Sequence, residues 1–220
     1  MSETDKTQGA GRQQYDMLFQ GNTQKDTKRE KALAIAHTIR QFEIDLYWKR
    51  AGYFWTILAV AFAGFFAALK TGTEVGAAFV SDLGIVVNLA LYLVNRGSAR
   101  WQQNWEFHVD MLEDDVTGPI YKTHFSTKIH RFWDLPGAYG YSPTRLNSII
   151  SIFTFIAWFS LNIIALERAF ESPELSRLDA WFILTASFSA IVACAALLYY
   201  GQSRSRSNDR ILEFSTRVFD

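Results

Sequence analysis

Hydrophobic positions in this chain gather into four long blocks, with all but one of the charged residues lying outside them. The block over 51–69 holds no charged residue, and about 20 residues of helix rising 1.5 Å each cover the roughly 30 Å of hydrocarbon in a bilayer. A second block runs over 75–94 with Asp82 as its single charge, a third over 146–166 and a fourth over 180–200. A chain of 220 residues has too little polar surface to bury four such runs as a soluble core. The pattern therefore predicts an all-α polytopic membrane protein with four transmembrane helices.

The flanking segments carry weaker patterns. The polar stretch over 1–30 has neither periodicity nor the apolar core of a secretory signal, and reads as a disordered tail. Over 31–50, Leu33, Ile35, Ala36, Ile39, Phe42, Leu46 and Tyr47 fall near helical spacing while Arg40, Gln41, Glu43 and Asp45 take the other side. That spacing predicts an amphipathic helix, lying on the membrane surface or packed against the rest of the protein. After the second block, Trp101, Trp105, His108 and Leu112 recur at i, i+4, i+7 and i+11, so the second span should continue as a helix well outside the bilayer. Thr117-Gly118-Pro119 stops it, and Pro136-Gly137 and Ser142-Pro143 mark turns in the remainder of the 95–145 segment.

Charge decides the orientation. Lys49 and Arg50 precede the first span, Arg96, Arg100, Lys122, Lys128, Arg131 and Arg145 lie between the second and third, and Arg204, Arg206 and Arg210 belong to a basic tail over 201–220. The other side has only Lys70, Arg168 and Arg177, diluted by Glu74, Glu167, Glu171, Glu174 and Asp179. The positive-inside rule then puts both termini in the cytoplasm. The connection Lys70-Thr71-Gly72-Thr73-Glu74 is short enough to make the first two spans an antiparallel hairpin. Twenty-two basic residues balance twenty-two acidic ones, and no basic stripe is interleaved with aromatics, which argues against a nucleic-acid partner. The single cysteine, Cys194, sits inside an apolar run, leaving no intrachain disulfide and no thiolate metal site.

Candidate chemistry is sparse. Ser81, Gly84, Asn88 and Asn95 lie at i, i+3, i+7 and i+14, a small and polar stripe along the second span with Asp82 beside it. Such groups must face protein or water in a membrane. One reading makes the stripe an interhelical seam that fixes packing; the other makes it the lining of an aqueous path, with Asp82 forming a cation-attracting ring in an oligomer. Asn147, Ser151, Thr154, Trp158 and Asn162 form a similar stripe on the third span, while Ala59, Ala63 and Ala67 and, on the fourth, Ala186, Ala190 and Cys194 place small residues four apart for close helix packing. His108 lies among Glu106, Asp110, Glu113, Asp114 and Asp115, but its i+3 and i+4 neighbours are Met111 and Leu112, so the spacing does not build a helical metal site. No Ser-His-Asp spacing, glycine-rich phosphate loop, HExxH or CxxC is present. The expectation is a protein without enzymatic activity, metal or cofactor.

Two blocks carry a resemblance. The first is Phe42-Glu43-Ile44-Asp45-Leu46-Tyr47-Trp48-Lys49-Arg50-Ala51-Gly52-Tyr53-Phe54-Trp55. The second comprises Asn95-Arg96-Gly97-Ser98, Trp101-Gln102-Gln103-Asn104-Trp105-Glu106, His108-Val109-Asp110 and Leu112-Glu113-Asp114, closing with Thr117-Gly118-Pro119-Ile120-Tyr121-Lys122-Thr123. Together they resemble the RipA family of octameric bacterial membrane proteins, with a looser likeness from Ser142 to Asn147. The resemblance implies a homo-octameric ring in the bacterial inner membrane, surrounded by lipid and connected with stress or host adaptation. It brings no catalytic set. Two functions compete: a channel or pore gated from the cytoplasmic side, lined by the stripe from Ser81 to Asn95, and a non-conducting scaffold. The scaffold would recruit a cytoplasmic protein partner through the face of Trp101, Trp105, His108 and Leu112.

Overall fold

The structure is a computed structural model that describes residues 25–121 and 141–202. The expected tail up to residue 24, most of the turn-rich loop before the third span, and all but the first two residues of the basic C-terminal tail lie outside the described residues. Four helices make up what is described: α1 (Lys25–Lys70), α2 (Glu74–Glu113), α3 (Pro143–Glu171) and α4 (Arg177–Tyr200). No strand occurs among the described residues. Each helix is long and apolar enough to cross a membrane.

Local chemistry explains where the helices stop. α1 closes in a Schellman turn: Thr73 N donates to Ala68 O at 2.9 Å and Gly72 N to Leu69 O at 3.4 Å, with Gly72 at φ +70°, a conformation that costs glycine nothing. α2 ends where the backbone N–H groups of Val116, Thr117 and Gly118 converge on Glu113 O at 2.9–3.0 Å. α3 starts on Ser142, whose Oγ accepts from Arg145 N, with Pro143 in the first turn. α4 starts on a capping box in which Ser176 and Asp179 each accept the other's backbone N–H.

The chain divides into two compact units. The first takes in the described residues of 1–44 and 100–129. In it Leu33 and Ala36 of α1 bury against Val109 and Leu112 of α2. The packed face of α1 differs from the face read off hydrophobicity. Ile35 and Phe42 are both 58% exposed, whereas Arg40 turns inward, its guanidinium 5.3 Å above the Tyr121 ring and 3.5 Å from Glu106 Oε1. The Tyr121 ring offers the guanidinium a cation–π partner that periodicity along one helix does not reveal. Arg29 pairs with Asp115 at 2.7 Å, and the buried carboxylate of Glu113 accepts from Tyr121 N at 2.9 Å.

The second unit, 45–99 with the described residues of 130–202, is the apolar bundle. Its centre is Trp158, fully buried, stacked on Phe62 at 4.2 Å and met edge-on by Phe65 at 6.1 Å. Leu58, Ala61, Ala77, Ala78, Leu91, Ala165, Ala169 and Ile183 complete the core. α2 is the central helix and α4 the peripheral one: 39% of the apolar window of α2 is buried against 6% for α4. Ala186, Ala190 and Cys194 lie on the half-buried side of α4, whereas Ala59, Ala63 and Ala67 are exposed.

Gly84 lets α2 approach the Trp158 ring so closely that an added Cβ would overlap it, whereas Gly64 has open space at the same position. Gly84→Ala is therefore expected to cost about 1–3 kcal/mol through overpacking. Gly64→Ala, at an open helix-interior position, should be neutral or gain about 0.5–1 kcal/mol. Thermal unfolding of the two variants in detergent, side by side, checks the contrast.

Candidate functional site

The two polar stripes are mates. Every member of the second-span stripe that carries a polar side chain is buried inside the bundle: Ser81, Asp82, Asn88 and Asn95 are 0–6% exposed. Across from them, Ser151, Thr154, Trp158 and Asn162 of α3 are equally buried. Asn88 Nδ2 donates to Ser151 O at 2.8 Å, Gly84 receives the Trp158 ring, and Asn162 Nδ2 donates to both Ser81 Oγ at 2.9 Å and Asp82 Oδ1 at 3.0 Å. The positions run 81, 84, 88 on α2 against 162, 158, 151 on α3, the order that antiparallel neighbours require. At the other end of α3, Asn147 Nδ2 donates to Tyr47 Oη of α1 at 2.8 Å, while Arg50 reaches Ser98 of α2 at 3.1 Å.

Asp82 is where three helices meet. Its Oδ1 takes Asn162 from α3 and its Oδ2 takes the hydroxyl of Ser187 from α4 at 2.8 Å. Among the described residues no cationic side chain pairs with it. Ser81 Oγ, besides accepting from Asn162, donates to Ala78 O at 2.8 Å. From the helix ends at Glu74, Glu171 and Arg177, a rise of 1.5 Å per residue puts Asp82, Asn162 and Ser187 at about 12, 14 and 15 Å, a matched depth.

Not every group in the seam is satisfied. Asn88 Oδ1, Trp158 Nε1 and both amide atoms of Asn95 are buried with no hydrogen-bond partner among the described residues. Asn95 thus contributes no bond to the stripe it belongs to by periodicity.

The second expected site, the face of Trp101, Trp105, His108 and Leu112, is partly consumed by packing. Leu112 is 2% exposed against Leu33 and Ala36, and Trp105 packs on the same cluster with its ring 5.3 Å from that of His108. Trp101, Trp105 and His108 are half-buried.

The model of the Octameric membrane protein family (8xMP) matches residues 30–167, well over half of the chain. The chain belongs to this family. No curated protein and no solved structure matches it. The 8xMP match takes in most of α1, all of α2 and α3 as far as Glu167, and ends before α4. Asp82 and Asn162 thus lie within the 8xMP region and Ser187 beyond it. Membership of 8xMP, with four helices of membrane-crossing length, gives the chain a membrane location.

Ser187 is the site residue that reading the sequence missed. A serine in an uncharged span was the available signal, but α4 also carries Thr185 and Ser189, whose hydroxyls bond their own helix. Only the fold separates the one that reaches a partner from those that do not. Of the apolar set expected on α1, Leu33, Ala36 and Tyr47 are buried, while Ile35 and Phe42, seven residues apart, are exposed on one side of the helix.

Two substitutions of similar size separate satisfied from unsatisfied asparagines. Asn162→Leu removes the donor to Ser81 and Asp82 and should destabilise the bundle by about 1–2 kcal/mol. Asn95→Leu removes an amide with no partner among the described residues and should leave stability unchanged or raise it by about 1 kcal/mol. Unfolding of both variants in mixed micelles with rising denaturing detergent gives the comparison.

Proposed function

We propose that the chain assembles as a homo-octamer in a bacterial inner membrane, with both termini cytoplasmic, and works there as a non-conducting, non-enzymatic scaffold. The octamer rests on membership of a family of octameric membrane proteins, and the orientation on the bias of Lys and Arg toward the loops on one side. The observation that carries the scaffold reading is the fate of the polar stripe. Ser81, Asp82 and Asn88 bond residues of α3 and α4 in the same chain, so they are not free to face a ring axis. A channel would need another lining, and the outer faces of α3 and α4 offer Ile149, Phe153, Ile156, Phe188 and Ile191, which suit lipid tails. Resemblance to the RipA family links such an assembly with survival under stress or in a host. A cytoplasmic protein partner has an apolar foothold in Ile35 and Phe42.

Native mass spectrometry of the protein released from nanodiscs should give eight copies, and reconstituted liposomes should show no more ion flux than empty ones. Flux above that level, abolished by Asp82→Asn, would restore the channel. A monomer would remove the assembly altogether.

A further inference from the structure

The cluster around Asp82 has a property that structural packing does not require: one of its two donors to the carboxyl group is a hydroxyl, which can also accept. An ionised carboxylate only accepts hydrogen bonds, and here Asn162 Nδ2 and Ser187 Oγ both donate to it. A carboxylic acid must also place one proton of its own. Asn162 cannot take it through the nitrogen that now faces Asp82, but a hydroxyl both donates and accepts. Ser187 has somewhere to send its own proton: on the same helix Thr185 Oγ1 donates to Trp181 O at 2.9 Å and Ser189 Oγ to Ala186 O at 2.7 Å, and a serine between them can rotate to a carbonyl one turn back in the same way.

We propose that Asp82 is a reversible proton-binding site, one in each protomer, in which the Ser187 hydroxyl reverses its hydrogen bond as the proton arrives and leaves. On binding, a proton delivered by water bonds Oδ2, the new O–H donates to Ser187 Oγ, and the Ser187 O–H turns to a backbone carbonyl of α4. Asn162 continues to donate to Oδ1 throughout. On release the proton returns to water and Ser187 again donates to Oδ2. No covalent bond other than O–H forms or breaks.

The surroundings fit a proton better than a metal ion. An intramembrane carboxylate with no cationic partner is costly to keep charged and marks a functional site by default. A metal ion needs oxygen ligands turned toward it, whereas Asn162 turns its NH2 group toward both Asp82 and Ser81. Among the described residues no charged group from α1, α3 or α4 faces Asp82, and the other titratable side chain within reach of its charge is the Cys194 thiol of α4. The site lies inside one protomer, so the inference does not depend on the octamer or on the scaffold reading.

Infrared difference spectroscopy of the full chain in liposomes, stepped from alkaline to acid pH, tests it directly. Acidification should produce the carbonyl band of a protonated carboxylic acid that is lost entirely in Asp82→Asn, moved in frequency in Asp82→Glu, and shifted in its pH of appearance in Ser187→Ala. Should Asp82→Asn fail to fold, the Asp82→Glu comparison decides alone. Difference spectra identical in wild type and these Asp82 variants would overturn the proposal. So would a band that sodium at fixed pH removes, since a metal cation would then be the occupant.

Discussion

Hydrocarbon offers a polar side chain no water to bond, so each one placed in a span must find its partner in protein. The seam between α2 and α3 is this chain's response to that constraint. Ser81, Asp82 and Asn88 on one helix and Asn162 and the Ser151 carbonyl on the other are joined by hydrogen bonds of 2.8–3.0 Å. Since α2 and α3 are separated in sequence by a long segment, register between them is not imposed by a short loop. Directional bonds at two levels of the bundle, with Gly84 and Trp158 interlocked between them, leave little freedom for one helix to slide along the other. Apolar packing in lipid supplies no such preference, because lipid tails solvate a leucine as well as another leucine does.

The same seam explains the unequal standing of the helices. α1 and α2 are tied by a three-residue turn whose N–H groups bond the carbonyls of Ala67, Ala68 and Leu69, and Phe62 and Phe65 of α1 then reach the Trp158 ring. α4 is different. Of its residues only Ile183 is buried, and among the described residues its one interhelical hydrogen bond runs from Ser187 to Asp82. Substitution of Asp82 therefore tests the contact of α4 with the bundle as well as the chemistry of the carboxyl.

How much of this was legible beforehand follows from what each signal measures. Hydropathy reports transfer between solvents, and for 51–69 or 180–200 the solvent is the whole answer, so the four spans and the all-helical fold could be read directly. Periodicity reports which residues share a face. It grouped Ser81 with Asn88, and Ser151 with Asn162, but says nothing about which face meets which. Two stripes on two helices were therefore compatible with a pore, with separate interfaces, or with each other, and only coordinates separate these. Asn95 shows the limit from the other side, being in phase with the stripe and buried, yet bonded to nothing in it. Arg40 failed for a related reason, because a guanidinium counts as polar on any scale while its partner, the Tyr121 ring, lies far off in sequence.

The family match adds a distinction that geometry alone does not make. It spans the residues of the α2–α3 seam and stops before α4, so the carboxylate and amide of the central cluster belong to the matched region and the hydroxyl that completes it does not. Asp82 therefore stands at the edge of the matched three-helix region, turned toward a helix that the match does not cover. An acid in that position needs a neighbour with a hydroxyl or amide wherever the fourth helix comes from, since lipid cannot take its place. Ser187 meets that need with one of the smallest polar side chains available, close to the buried Ile183 on the same helix, and with a hydroxyl, whose single oxygen can serve the carboxyl both as donor and as acceptor.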